Sequence, residues 1–305
     1  MTEAQRIEAL APPRGPVDAV LDTDAFNEID DQFAISLFML CPERINPVGI
    51  TAAPFSNVRS SGDPAVGMEK SFEEIKKVLG LIKKEVPVFR GSRGYLPDEK
   101  TPVKSEAADF LAGLCRNYSS QKPLYVLAIG AITNVASAIL SEPSFRENCV
   151  VVWLGGNDIN WKDNREFNCF QDVAAARVVF DSGVPLIHLP CSGVVDRFLT
   201  TKYELLHWLS GKNALCDYLL DATLEHCDTP ENASKPWSKV IWDVTAVAWL
   251  LNDGERFISG RLIPSPRPQY DDAWSFPSPR HFIFTAQRIK RDALFAFLFE
   301  KLSGA

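Results

Sequence analysis

Short apolar runs rich in β-branched residues alternate along the chain with longer segments whose apolar positions recur at helical spacing. Six runs, at 17–22, 48–53, 86–89, 124–129, 150–154 and 184–189, are mostly apolar on both faces, as expected of parallel strands buried between helical layers. Helices are predicted between them at 31–40, 72–84, 107–118, 133–140 and 172–181. In the second of these, Phe72, Ile75, Leu79 and Ile82 form a stripe, and Lys76, Lys77, Lys83 and Lys84 fall outside it. This β-α-β-α order predicts an α/β fold with an open, mostly parallel Rossmann-like sheet and flanking helices. From Lys202 to about Leu251 the pattern is helical only. Beyond it, "RLIPSPRPQYDDAWSFPSPRHFIF" reads as a proline-punctuated loop between two strands, and 291–302 as a closing helix. No repeat or linker divides the chain, so residues 1–305 are expected to form a single domain.

Composition narrows the functional classes. A chain of 305 residues, 46% hydrophobic and 23% charged, has enough apolar residues for a large core. Its formal charge of -7 comes without a basic stripe, which argues against nucleic acid as a partner and for a small uncharged or cationic ligand. The seven cysteines stand singly, with no CxxC, so free thiols in a reducing compartment are expected rather than a zinc ribbon or a disulfide framework. The segment "MTEAQRIEALAPPRGP" lacks a signal peptide's apolar core, and no apolar run approaches a membrane span. A cytoplasmic protein without a membrane partner is the expectation.

Against that background, "AVLDTDAFNEIDDQFAI" stands out: Asp22, Asp24, Glu28, Asp30 and Asp31 fall within ten residues between the first predicted strand and helix. Ligands of open α/β sheets bind at the carboxyl ends of the strands, where this segment lies. One or two of these acids would serve as helix N-terminal residues, but five at one strand end repel each other unless a cation sits among them. Oxygen-only donors favour calcium or magnesium.

Two families share a DxD after the first strand. Haloacid dehalogenase-type phosphatases also need a downstream lysine and a late acidic pair, and the segment after the fourth strand here is "AIGAITN". The chain more fully resembles the calcium-dependent nucleoside hydrolases. "DTDAFNEIDD" is similar to their DxD-turn-DD signature, "LAIGAITNVASAI" to their G-x-x-T-N segment, and "VVWLGGN" to their strand ending in a double glycine. "REFNCFQDVAAARVVF" resembles their E-F-N motif, and "IWDVTAVAWLL" the segment with the last metal aspartate. The five motifs occur in the family's order.

The resemblance implies that Asp24, Asp31, Asp243 and the carbonyl of Ile129 hold Ca2+, with Asp24 also the base for the attacking water. It implies that Asp30 holds the ribose 2'- and 3'-hydroxyls, that Glu166 and Asn168 hold the sugar from the other side, and that Asn57 and Asn164 add further contacts. Helix capping is the competing role for the E-F-N residues. The implied activity is hydrolysis of a ribonucleoside's N-glycosidic bond, by a homo-oligomer (dimer or tetramer). A non-catalytic nucleoside- or sugar-binding protein on the same scaffold is the alternative.

Two departures bear on mechanism. The turn at 25–29 is two residues longer than the family's, leaving Asn27 and Glu28 without an assigned role. Trp242 stands where many members carry a proton-donating histidine, and as in purine-preferring members it is expected to stack on the base. Trp161, Trp237 and Trp274 are candidates for a second stacking face, and none of His188, His207, His226 and His281 falls near a motif.

Overall fold

In a computed structural model, which describes residues 1–232 and 234–305, the chain forms an eight-stranded sheet flanked by helices. The strands are β1 (Val17–Thr23), β2 (Ile45–Ala52), β3 (Val88–Phe89), β4 (Leu124–Ala128), β5 (Cys149–Leu154), β6 (Leu186–Leu189), β7 (Leu199–Thr201), β8 (Ser238–Val240), β9 (Ile258–Pro264), β10 (Arg267–Pro268), β11 (Trp274–Ser275) and β12 (Phe282–Ile289). The helices are α1 (Glu3–Ala9), α2 (Asp31–Leu40), α3 (Pro64–Ile82), α4 (Glu106–Leu114), α5 (Thr133–Ser141), α6 (Phe145–Asn148), α7 (Phe167–Gln171), α8 (Val173–Ser182), α9 (Lys202–Leu209), α10 (Ala214–Cys227), α11 (Val244–Leu250) and α12 (Arg291–Ser303).

The main sheet runs β3-β2-β1-β4-β5-β6-β12-β9, parallel throughout except for the antiparallel β12–β9 pair at one edge. Its centre is buried on both faces: every residue of β4, β5 and β6 is buried, which is why these strands read as continuous apolar runs. One helical layer, including α2, α11 and α12, packs through Phe33, Phe38, Trp249 and Leu298, and the other, including α5 and α8, through Val135, Phe145 and Phe180. Because β1 lies between β2 and β4, strand order reverses there, and the crevice beyond the carboxyl ends of β1 and β4 is the topological switch point.

Three departures from the sequence pattern have local causes. α3 starts at Pro64, not Phe72: Asp63 caps it, Pro64 suits the first turn, and Gly67 admits the carbonyl of Phe55, which would lie 2.1 Å from a Cβ. The glycine conceals the helical periodicity but permits the close packing. Residues 238–240, within the expected all-helical region, form β8, antiparallel to β7. The E-F-N segment, outside the predicted helices, forms the short helix α7 with Glu166 as its cap.

Candidate active site

The turn after β1, the end of β4 and the start of α11 meet at the switch point around a cavity of about 450 Å³. Lining it are Asp24, Asp30, Asp31 and Asp243, together with Asn57, Ile129, Glu166, Asn168 and Trp242. Of the residues expected to hold metal, sugar or base, Asn164 is elsewhere, as are the three candidates for a second stacking face. Asn164 Oδ1 accepts the Asn157 N–H at 2.8 Å and its Nδ2 donates to Cys169 Sγ at 3.3 Å, so it braces the loop after β5.

Two helix N-termini deliver the acids. Asp30 and Asp31 open α2, Asp243 opens α11, and neither Asp30 nor Asp243 spends its side chain on a capping bond. A carboxylate oxygen from each of Asp30, Asp31 and Asp243 lies within 4.8 Å of the other two. Asp24, expected in that set, sits beside it: its Oδ2 is buried and has no partner among the described residues. Thr23 Oγ1 donates to Asp31 Oδ1 at 2.5 Å and orients that carboxylate.

Electrostatics of the cluster is unfavourable by itself. Burial, then the charge of Asp30, pushes Asp31 up to about 7. Burial, then Asp31 and Asp30, raises Asp24 well above the ordinary carboxylate range, and burial, then Asp30 and Asp31, does the same to Asp243. A cation among these oxygens would favour their ionised forms, and an orphaned buried carboxylate oxygen beside three converging ones fits a hard divalent ion.

Part of the charge is met internally by a residue that no sequence motif marked. The buried Lys239, on β8, pairs with Glu28 and lies 3.5 Å from Asp30. Burial works against the ammonium, but Asp30 and Glu28 hold it charged, and Lys239 in turn brings Glu28 below its usual range despite burial. The lengthened turn thereby gains a role for each of three residues. Asn27 Oδ1 accepts from Asn57 Nδ2 at 2.7 Å, Glu28 binds Lys239, and Phe26 lies under the guanidinium of Arg59, whose Cζ is 4.5 Å from the ring centroid.

The residues expected to hold the sugar have structural partners of their own. Glu166 accepts three backbone N–H bonds, from Gly156, Asn168 and Cys169, which is the capping role weighed from the sequence. Asn168 Nδ2 donates to the carbonyls of Ile129 and Leu154, at 3.1 and 3.0 Å, while its Oδ1 accepts from no group among the described residues. Asn57 Oδ1 accepts the Arg59 N–H at 2.8 Å.

On the aromatic side, Trp242 is half-buried and lines the cavity, as does Phe167. Trp161, Trp237 and Trp274 do not line it: Trp237 Nε1 donates to Asp228, Trp274 packs on Phe180 and His188, and Trp161 is exposed. His226 of α10 and Arg59 do reach the cavity wall. Both lie outside the motifs.

A family model described as "Inosine-uridine preferring nucleoside hydrolase" matches residues 19–283. The chain is 34% identical to the pyrimidine-specific ribonucleoside hydrolase RihA of Klebsiella pneumoniae, over 52% of this chain and 55% of that one. It is 28% identical to "Probable uridine nucleosidase 2" of Arabidopsis thaliana, over 66% of each. These matches span between about half and two thirds of the relatives' length. A plant nucleoside hydrolase structure superposes with a TM-score of 0.75 at 18% identity, covering 95% of this chain and all (100%) of that chain. A purine-preferring ribonucleoside hydrolase from Gardnerella vaginalis does so with a TM-score of 0.73 at 18% identity, covering 94% and 98%. With the match running from the first strand to the last and taking in all five motifs, the chain belongs to the inosine-uridine preferring nucleoside hydrolase family.

Proposed function

We propose that the protein hydrolyses the N-glycosidic bond of ribonucleosides, with Ca2+ as its metal and purine nucleosides as its preferred substrates. The observation that carries this reading is the shared cavity: buried carboxylates at the switch point and an aromatic wall at Trp242 line one space suited to a sugar joined to a planar base. Asp24, Asp31, Asp243 and the Ile129 carbonyl would hold the metal, which when bound supplies positive charge that orients ribose hydroxyls and makes water more acidic.

The chain's own groups do the rest. Asp24 takes a proton from the attacking water, whose oxygen bonds to C1' as the C1'–N bond breaks and its electron pair departs with the base. Asp30, held by Lys239, and the free Oδ1 of Asn168 grip the ribose as charge develops on the ring, with Glu166 fixing the loop behind it. Trp242 stacks on the base. Relatives named for pyrimidine and for purine nucleosides both resemble this chain, so the purine preference rests on Trp242. A cytoplasmic homo-oligomer, dimer or tetramer, is part of the same proposal.

Incubation with inosine, adenosine, guanosine, uridine and cytidine plus calcium, followed by assay of free reducing sugar, tests the reading. Ribose released fastest from the purine nucleosides is the expected result. Calcium binding without ribose from any of the five would leave a nucleoside- or sugar-binding protein instead.

A further inference from the structure

Arg59 is the one lysine or arginine lining the cavity, and among the described residues its guanidinium has neither a hydrogen bond nor an ion pair. Its place is nonetheless fixed. The Arg59 N–H is bound by Asn57, its carbonyl accepts from Lys70 Nζ at 2.5 Å, and the guanidinium lies over the ring of Phe26. Stacking occupies a face of the guanidinium and leaves its in-plane N–H groups free. His226, half-buried, lines the same cavity, and among the described residues its ring has no hydrogen-bond partner either.

The charges in this space are unequal. Asp24, Glu28, Asp30, Asp31, Glu166 and Asp243 line the cavity, and with Lys239 already committed to Glu28 and Asp30, Arg59 is the unspent cation. A dianionic phosphate would be repelled by the acids, whereas a neutral base with carbonyl oxygens would not. As the C1'–N bond breaks, its electron pair spreads over the base onto exocyclic oxygen, and a fixed guanidinium gains most from charge that appears only then.

We propose that Arg59 is a specificity-determining residue that donates its N–H pair to the carbonyl edge of a 6-oxopurine base, the O6 and N7 of inosine or guanosine. Arg59 thus stabilises the departing base by hydrogen bonding, a contribution separate from stacking on Trp242. The inference deepens the ribonucleoside-hydrolase reading and rests on it.

The test compares kcat/KM for inosine, for purine riboside, which has the same ring without O6, and for inosine 5'-monophosphate. Arg59→Gln should lower the value for inosine by about 10- to 100-fold and that for purine riboside by no more than about threefold, as a bidentate arginine contact to O6 and N7 would. Arg59→Lys, which keeps the charge and loses the planar fork, should fall between wild type and Arg59→Gln on inosine. Equal losses on inosine and purine riboside, or an Arg59-dependent preference for the monophosphate, would overturn the assignment to the base edge while leaving the hydrolase reading intact. Absence of ribose from wild type with all three would overturn both.

Discussion

Nζ of Lys239 lies 3.5 Å from Oδ1 of Asp30, so the strand that leads into Asp243 is tied to the turn that leads into Asp31. The same ammonium pairs with Glu28, 211 residues away in sequence. Lys239 thus joins the two segments that supply the acidic cluster and offsets part of its repulsion. Lys239→Met should destabilise the protein by about 2 kcal/mol, less than a fully buried pair because the Glu28 side chain is 40% exposed. The double variant Glu28→Gln/Lys239→Met should lose less than the sum of the single variants in denaturant melts. Strict additivity would show that the pair contributes nothing.

Asp31→Asn replaces a charged oxygen of the cluster with a neutral amide. Calcium affinity and ribose release should fall together, and excess calcium should restore part of the rate. Unchanged calcium binding by calorimetry would remove Asp31 from the metal's ligands.

The raised proton affinity of Asp31 sets a pH dependence. With its value moved from 3.8 to about 7 by burial and then Asp30, the metal-free folded protein keeps a proton that the unfolded chain has already lost. That stabilisation is fully present below about 3.8 and is lost as pH rises through about 7. Protons and calcium compete for the same oxygens, so the rise in Tm on adding calcium should be larger at about pH 8 than at about pH 6. Equal shifts at both pH values would contradict a cluster that takes up protons in place of metal.

Trp242→Ala removes the proposed stacking partner. Hydrolysis of inosine or guanosine should slow by about tenfold or more, with a smaller loss on p-nitrophenyl riboside, whose leaving group departs without help. Equal losses on both substrates would reduce Trp242 to a wall of the pocket.

The central fold was legible in the sequence because local burial leaves a local record. A strand covered on both faces must be apolar at successive positions, and 124–129 and 150–154 are, in agreement with β4 and β5 to within a residue. Asp31 begins α2 as expected, since the acidic pair precedes an unbroken helical stretch. Aspartates 24, 30, 31 and 243 could be singled out because motifs surround them, and all four line the cavity.

Tertiary structure alone decided what meets what. Which acids converge as a triad depends on the path of the 25–29 turn, and that path is held by Lys239 and Asn57, neither of them near it in sequence. Asn164, four residues before Asn168, was expected to add a further contact beside it, yet one braces a loop and the other lines the cavity. His226 and Arg59 come from helical and loop segments whose own patterns carry no sign of a ligand, and they reach one wall because α10 and the segment after β2 fold over the same switch point. Periodicity records how much of a residue is covered, not what covers it. The partners of a charge buried between distant segments are set by the path of the whole chain.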